Sequence, residues 1–214
     1  MEFPLIDGMS YFITPECAPE NVLEVEGDNI DAGASIISSL HHGDNNQRFI
    51  ATKITKKYFV LTAENSGKVV DVSDGKATDG TKIQIWDYNG TPAQLWKLKE
   101  AGDGYFTICS KINPDYCIDI PEQSPESGVK IQLFKRNNTP AQRFRLTPCP
   151  DAEIIDLKEE YRPLYEQWKA EHPKNKNNNN SSSGDYDLID LALDVADTVG
   201  DVVDDAIDAL FWWL

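Results

Sequence analysis

Lys82-Ile83-Gln84-Ile85-Trp86-Asp87-Tyr88-Asn89-Gly90-Thr91-Pro92-Ala93-Gln94-Leu95-Trp96 decides how this chain is read. Its first five residues alternate with period two, the pattern of a half-buried strand. Tyr88 to Pro92 is turn chemistry, and Gln94-Leu95-Trp96 opens the next strand. Outward from here, the closing triplet recurs as Gln47-Arg48-Phe49 and Gln142-Arg143-Phe144, at intervals of 47 and 48 residues. Tyr11-Phe12, Tyr58-Phe59 and Tyr105-Phe106 begin the three units at intervals of 47. A fixed period in this range marks a repeat architecture.

Each unit reads as four short strands separated by Gly, Asn, Asp and Pro, so three units predict an all-β fold of about twelve strands. One unit cannot bury its apolar face alone. Three can close around a pseudo-threefold axis, which removes sheet edges as a barrel does. Phe49, Trp96 and Phe144 then converge on one core. The Gln before each is expected to tie the turn backbone with its amide, because buried polar groups need partners.

A repeat of about 47 residues ending in Gln-x-Trp or Gln-x-Phe, with Asp71-Val72-Ser73-Asp74-Gly75 and Ile83-Gln84-Ile85-Trp86 before it, resembles the ricin B-type β-trefoil lectins. The resemblance covers about residues 9–148, in lobes of about 9–55, 56–101 and 102–148. It implies a β-trefoil that binds glycans, commonly galactose-type sugars, with up to one pocket per lobe. By the family's motif, Asp71 accepts hydrogen bonds from adjacent sugar hydroxyls, and such charge-assisted bonds are roughly twice as strong as neutral ones. Trp86 offers a flat ring to the sugar's C–H face. Gln84 and Asn89 orient the ring, and Gln94 touches the ligand or holds the loop. Lobe three repeats the set as Asp119, Gln132, Phe134, Asn137 and Gln142. Lobe one departs from it: Glu24 stands for Asp, Ile37 for Gln and Ser39 for the aromatic, so no sugar is expected there. Ala93 and Ala141 stand where many members have Asn. Cys117 matches a family half-cystine, but Arg136 holds its partner position, which leaves packing to hold the lobe.

Charge and cysteine usage bound the remaining functions. Residues 1–150 hold 20 acidic and 15 basic residues, while 151–214 hold 16 and 5. Neither part offers the Lys/Arg surface that phosphate neutralisation demands, which argues against nucleic acid. The four cysteines, Cys17, Cys109, Cys117 and Cys149, fit no metal spacing. Cys109 and Cys117 can face each other across a hairpin, but two separate thiols are the expectation in a reducing compartment. Residues 1–10 lack the basic and apolar regions of a secretory signal. The sequons Asn89-Gly90-Thr91 and Asn137-Asn138-Thr139 would place glycans inside the proposed pockets. Together these favour a cytoplasmic or unconventionally exported protein.

After Pro150 the period turns helical. Asp151 is expected to N-cap an amphipathic segment over 151–172 carrying Ile154, Ile155, Leu157 and Tyr161, with Pro163 ending or kinking it and Leu164, Tyr165 and Trp168 continuing the apolar face. Residues 173–185 read as an Asn/Ser-rich linker. In 186–214, Asp187, Asp190, Asp194, Asp197, Asp201, Asp204 and Asp208 recur at spacings of three and four, the pattern of an acidic amphipathic helix. Two roles stay open for it: burial against a second copy, which would make the chain multivalent, or membrane contact after its aspartates are protonated.

The chain thus reads as a non-enzymatic lectin with sugar pockets in lobes two and three, needing no cofactor or metal. It has three His and none of the recognised nucleophile or metalloprotease motifs. The alternatives are a lectin-targeted pore-forming protein and a trefoil that binds protein through vestigial sugar sites.

Overall fold

The computed structural model describes residues 5–173. The linker from residue 174 onward and the acidic segment 186–214 lie outside the described residues. Lobe one contains β1 (Met9–Pro15), β2 (Asn21–Val25), β3 (Ile36–Leu40) and β4 (Phe49–Lys53). Lobe two contains β5 (Phe59–Ala63), β6 (Val69–Val72), β7 (Thr81–Trp86) and β8 (Trp96–Gly102). Lobe three contains β9 (Tyr105–Ser110), β10 (Tyr116–Asp119), β11 (Val129–Lys130), β12 (Gln132–Lys135) and β13 (Phe144–Pro148). The extra strand in lobe three arises because its third strand is broken at Ile131, whose N–H is donated to the Ile36 carbonyl of lobe one.

The first and last strands of the lobes close a six-stranded antiparallel ring. β1 pairs with β4, β4 with β5, β5 with β8, β8 with β9, β9 with β13, and β13 with β1. No strand of this ring has a free edge. The middle strands form three hairpins that cap one end, β2–β3, β6–β7 and β10–β12. They interlock through β3–β11, β7–β12 and a bridge between Ser35 and Gln84. Residues 9–148 form a β-trefoil.

Phe49, Trp96 and Phe144 are fully buried in one core with Ile13, Leu61 and Ile108. The Trp96 indole N–H is donated to the Val70 carbonyl at 3.0 Å, which satisfies the one polar atom that this side chain carries inside. Each preceding Gln ties its own loop. Gln94 accepts from Asn89 N–H at 2.8 Å and donates to the Asp87 carbonyl at 2.9 Å. Gln142 does the same with Asn137 and Lys135, and Gln47 with His42 and Leu40.

Two expectations are corrected. Cys109 and Cys117 are joined in a disulfide, not left as two thiols. They sit directly opposite each other where β9 and β10 pair, so strand register delivers both sulfurs to one place. The C-terminal helix, α1, spans Lys158–Glu171 and does not begin at Asp151. Residues 152–155 are held against the barrel instead: Ile155 N–H is donated to Gly8 O and Ala152 N–H to Cys149 O. The Asp151 carboxylate pairs with Arg48 at 3.1 Å, and Asp156 accepts from Lys158 N–H at the helix start. Pro163 lies inside α1. The helix runs on past it because Tyr161 and Tyr165, one turn apart and both buried, anchor each side to lobe two. This packing explains why all five residues of β5 are buried, while the outer positions of β13 face solvent.

Candidate functional site

In the lobe-two cap, β6 and β7 set Asp71 directly opposite Gln84. The Gln84 amide donates to Asp71 Oδ1 at 3.0 Å. Trp86 lies two residues further along the same face of β7, a diagonal neighbour of Asp71 about 7–8 Å away by strand geometry. Trp86 is 41 % exposed whereas Asp71 is only 6 % exposed. An indole that open at a strand end is not a core residue. One edge of it is bordered by lobe one, where a Cβ at Gly33 would stand 3.6 Å from the ring. Gly33 N–H is donated to Ile85 O, and Ile85 N–H to Ala34 O, so this border is pinned to β7 itself.

Burial pushes the Asp71 carboxyl up to about 6, against hydrogen bonds from Gln84 and Gln94 that lower it and the nearby Asp74 charge that raises it. Near neutral pH Asp71 is an acceptor with unfilled lone pairs, in a recess where ionisation is costly. New donors such as vicinal hydroxyls relieve that cost. Asn89 is exposed at the loop tip, with its Oδ1 accepting from Thr91 N–H at 3.1 Å. Gln94 is fully buried and ties the loop with both its oxygen and its nitrogen, so it positions Asn89 while also bonding to Asp71.

Lobe three holds the same arrangement. Asp119 faces Gln132 across β10 and β12, and the Gln132 amide donates to Asp119 Oδ1 at 2.8 Å. Phe134, half-buried, takes the place of the indole. Asn137 is exposed, and its Oδ1 accepts from both Thr139 N–H and Thr139 Oγ1. Burial also raises the Asp119 carboxyl, opposed by hydrogen bonds from Gln132 and Gln142. The border here comes from lobe two: Gly80 N–H is donated to Leu133 O, and Lys135 N–H to Asp79 Oδ1 at 2.7 Å.

Lobe one is built differently. Glu24, one methylene longer than Asp, reaches Gln47 Nε2 at 2.7 Å and His42 Nε2 at 3.0 Å. Ile37 lies opposite it and Ser39 stands two residues on, so β3 offers neither a ring nor a facing amide. His42, which the sequence pattern did not single out, occupies the place of Asn89 and Asn137, five residues before the closing Gln, and that spacing was the signal that could have found it. Sequence reading also missed Gly33 and Gly80, whose interval of 47 residues marks them as repeat positions. A cavity of about 460 Å³ lies elsewhere, between the barrel and residues 151–161, lined by Arg48, Thr62, Glu64 and Tyr161. It shares no residue with the Asp71 and Asp119 clusters. Among the described residues, no group of His, Cys, Asp and Glu side chains could hold a metal ion.

Residues 7–86 and 45–134 match the model of the ricin-type beta-trefoil lectin domain-like family. The chain belongs to that family. Among solved structures it is similar to the designed threefold-symmetric protein ThreeFoil, at 26 % identity and a TM-score of 0.63, over 66 % of this chain and 99 % of that one. The earthworm R-type lectin C-half in complex with GalNAc matches at 23 % identity and a TM-score of 0.52, over 65 % of this chain and 98 % of that one. The Macrolepiota procera ricin B-like lectin in complex with lactose matches at 23 % and 0.57, over 67 % and 98 %. The last two likenesses show the fold. No curated protein matches the chain in sequence.

Proposed function

We propose that this protein is a non-enzymatic lectin that grips glycans at two sites, Asp71 with Gln84, Trp86 and Asn89 in lobe two, and Asp119 with Gln132, Phe134 and Asn137 in lobe three. Gln94 and Gln142 hold the loops that carry the two asparagines. The observation that carries this reading is the recurrence, in two lobes, of a buried carboxylate bonded to a facing glutamine and flanked on the same strand face by a solvent-accessible ring. Lobe one serves as scaffold, since Ile37 faces Glu24, no ring stands beside it, and His42 already bonds its carboxylate. Each site is expected to bind a monosaccharide on the order of millimolar (~ −4 kcal/mol), so strong binding requires several sites acting together. The acidic repeat of residues 186–214 is suited to supply them by self-association. The Cys109–Cys117 bond favours the exported alternative over the cytoplasmic one, because disulfides persist in oxidising compartments.

The test is an array of galactose-, N-acetylgalactosamine-, glucose- and mannose-terminated glycans probed with the full chain and with Asp71→Ala/Asp119→Ala. Binding by the parent that disappears in the double variant supports the reading. Binding that survives the double variant, or no binding by a folded parent, overturns it.

A further inference from the structure

We infer that helix α1 is a clamp on the lobe-two site: it fixes the loop Asp87–Thr91 through Tyr88 and Gly90, and so makes lobe two the tighter of the two glycan sites. This rests on the sugar-binding reading above.

The three lobes share one loop backbone. Gly43, Gly90 and Asn138 are equivalent, with φ of 87°, 75° and 59°. Asn and Asp adopt this left-handed region more readily than other non-glycine residues, and Asn138 does so in lobe three, so backbone conformation by itself does not demand Gly at position 90. Space does. A Cβ on Gly90 would lie 2.4 Å from the Leu164 carbonyl oxygen and 2.7 Å from Tyr165 N. Both are helix backbone atoms, which cannot swing aside as a side chain would. On Gly43 the nearest atom would be a His41 side-chain nitrogen at 3.9 Å, so the equivalent loop of lobe one has no backbone pressed against it.

The helix does not depend on this loop to stay in place. Tyr161 and Tyr165 are buried with Ile54, Tyr58, Val60, Val69 and Leu95 of the barrel wall. The Tyr161 hydroxyl lies 3.2 Å from Thr62 Oγ1 on β5. The Lys111 ammonium sits 3.9 Å from the Tyr58 ring centre and 5.6 Å from that of Tyr165. From that base the helix meets the loop twice, at Gly90 and through the Tyr161 ring, 4.3 Å from Tyr88. Asn89 is therefore held on both sides by the helix and from beneath by Gln94. In lobe three the equivalent residues Arg136, Asn137 and Asn138 are all exposed. A loop already fixed in its binding shape loses less conformational freedom when the ligand arrives, which converts into affinity.

The decisive variant is Gly90→Asn in the full chain. It copies the residue that lobe three uses, keeps the left-handed backbone, and puts a Cβ, with its carboxamide beyond, where the helix backbone leaves no room. Tyr161→Ala loosens the same contact from the helix side without touching the loop. Each is combined with Asp119→Asn to report lobe two, or with Asp71→Asn to report lobe three, on the glycan array above. Amide hydrogen exchange over residues 87–91 and 135–139 is followed without sugar. The expected result is an apparent lobe-two affinity about tenfold weaker in both variants, lobe three unchanged, and faster exchange confined to 87–91. A general loss of stability would weaken both lobes and overturn the clamp, as would unchanged lobe-two affinity or unchanged exchange. If the Asp119→Asn parent binds no glycan, the clamp falls together with the lobe-two site. If that parent binds and the variants match it, the clamp alone falls.

Discussion

Lobes one and two have the same backbone and opposite chemistry. Gln47 and Gln94 tie their loops with the same pair of amide bonds, and Phe49 and Trp96 meet in the same core. Above that shared floor the lobes part. Asp71 has a facing amide and an open indole beside it, whereas the Glu24 carboxylate is bonded to His42 with Ile37 across from it. The closing triplet is thus a demand of the barrel, repeated wherever the barrel needs it. The cap hairpins are free of that demand, and there the lobes are able to diverge into a site and a non-site.

The largest expected effect tests the shared floor. Trp96→Ala and Phe49→Ala should each cost about 3–5 kcal/mol in urea unfolding, because both rings are fully buried. A cost near zero for Phe49→Ala would mean that lobe one is not part of the common core. A smaller effect tests the divergence: Trp86→Ala should weaken lobe-two glycan binding about tenfold (~1.4 kcal/mol), while Ser39→Ala and Glu24→Gln leave it unchanged. Loss of binding in Glu24→Gln would make lobe one a third site.

The smallest effect comes from pH. The folded-state pKa of Asp71 is raised to about 6, above the ordinary carboxylate value of 3.8. Between those values the folded chain holds a proton that the unfolded chain has released, so acidification from pH 7 toward 5 raises this residue's contribution to stability. Binding changes in the opposite direction, since a protonated carboxyl gives up part of its capacity to accept hydroxyl donors. Lobe-two affinity, measured in an Asp119→Asn background, should fall to about half near pH 6, while thermal stability does not fall in parallel. Affinity flat from pH 7 to 5 would remove Asp71 from the contact.

Much of this was legible in advance because a threefold pattern states each claim three times. Gln47, Gln94 and Gln142 located the barrel, and Asp71 with Trp86 and Asp119 with Phe134 located two caps. What escaped was set by contacts between segments far apart in sequence. Asp151 has the chemistry of a helix cap, yet Arg48 and the barrel backbone claim residues 151–155 first. Cys109 and Cys117 were judged by compartment when strand register decided them. Gly90 read as an ordinary turn glycine, since nothing local announces that a helix seventy residues later will rest on it.

The ring has one further consequence. β1 lies beside β13, so the boundary between the first and last lobes is an ordinary strand pair, of the same kind as β4–β5 and β8–β9. The order in which the lobes are strung along the chain is therefore incidental to the architecture. A gene rearranged to start at lobe two, with lobe one appended behind lobe three, would encode the same closed body, and such shuffling is a route by which trefoil sites can be duplicated, silenced or exchanged without redesigning the scaffold.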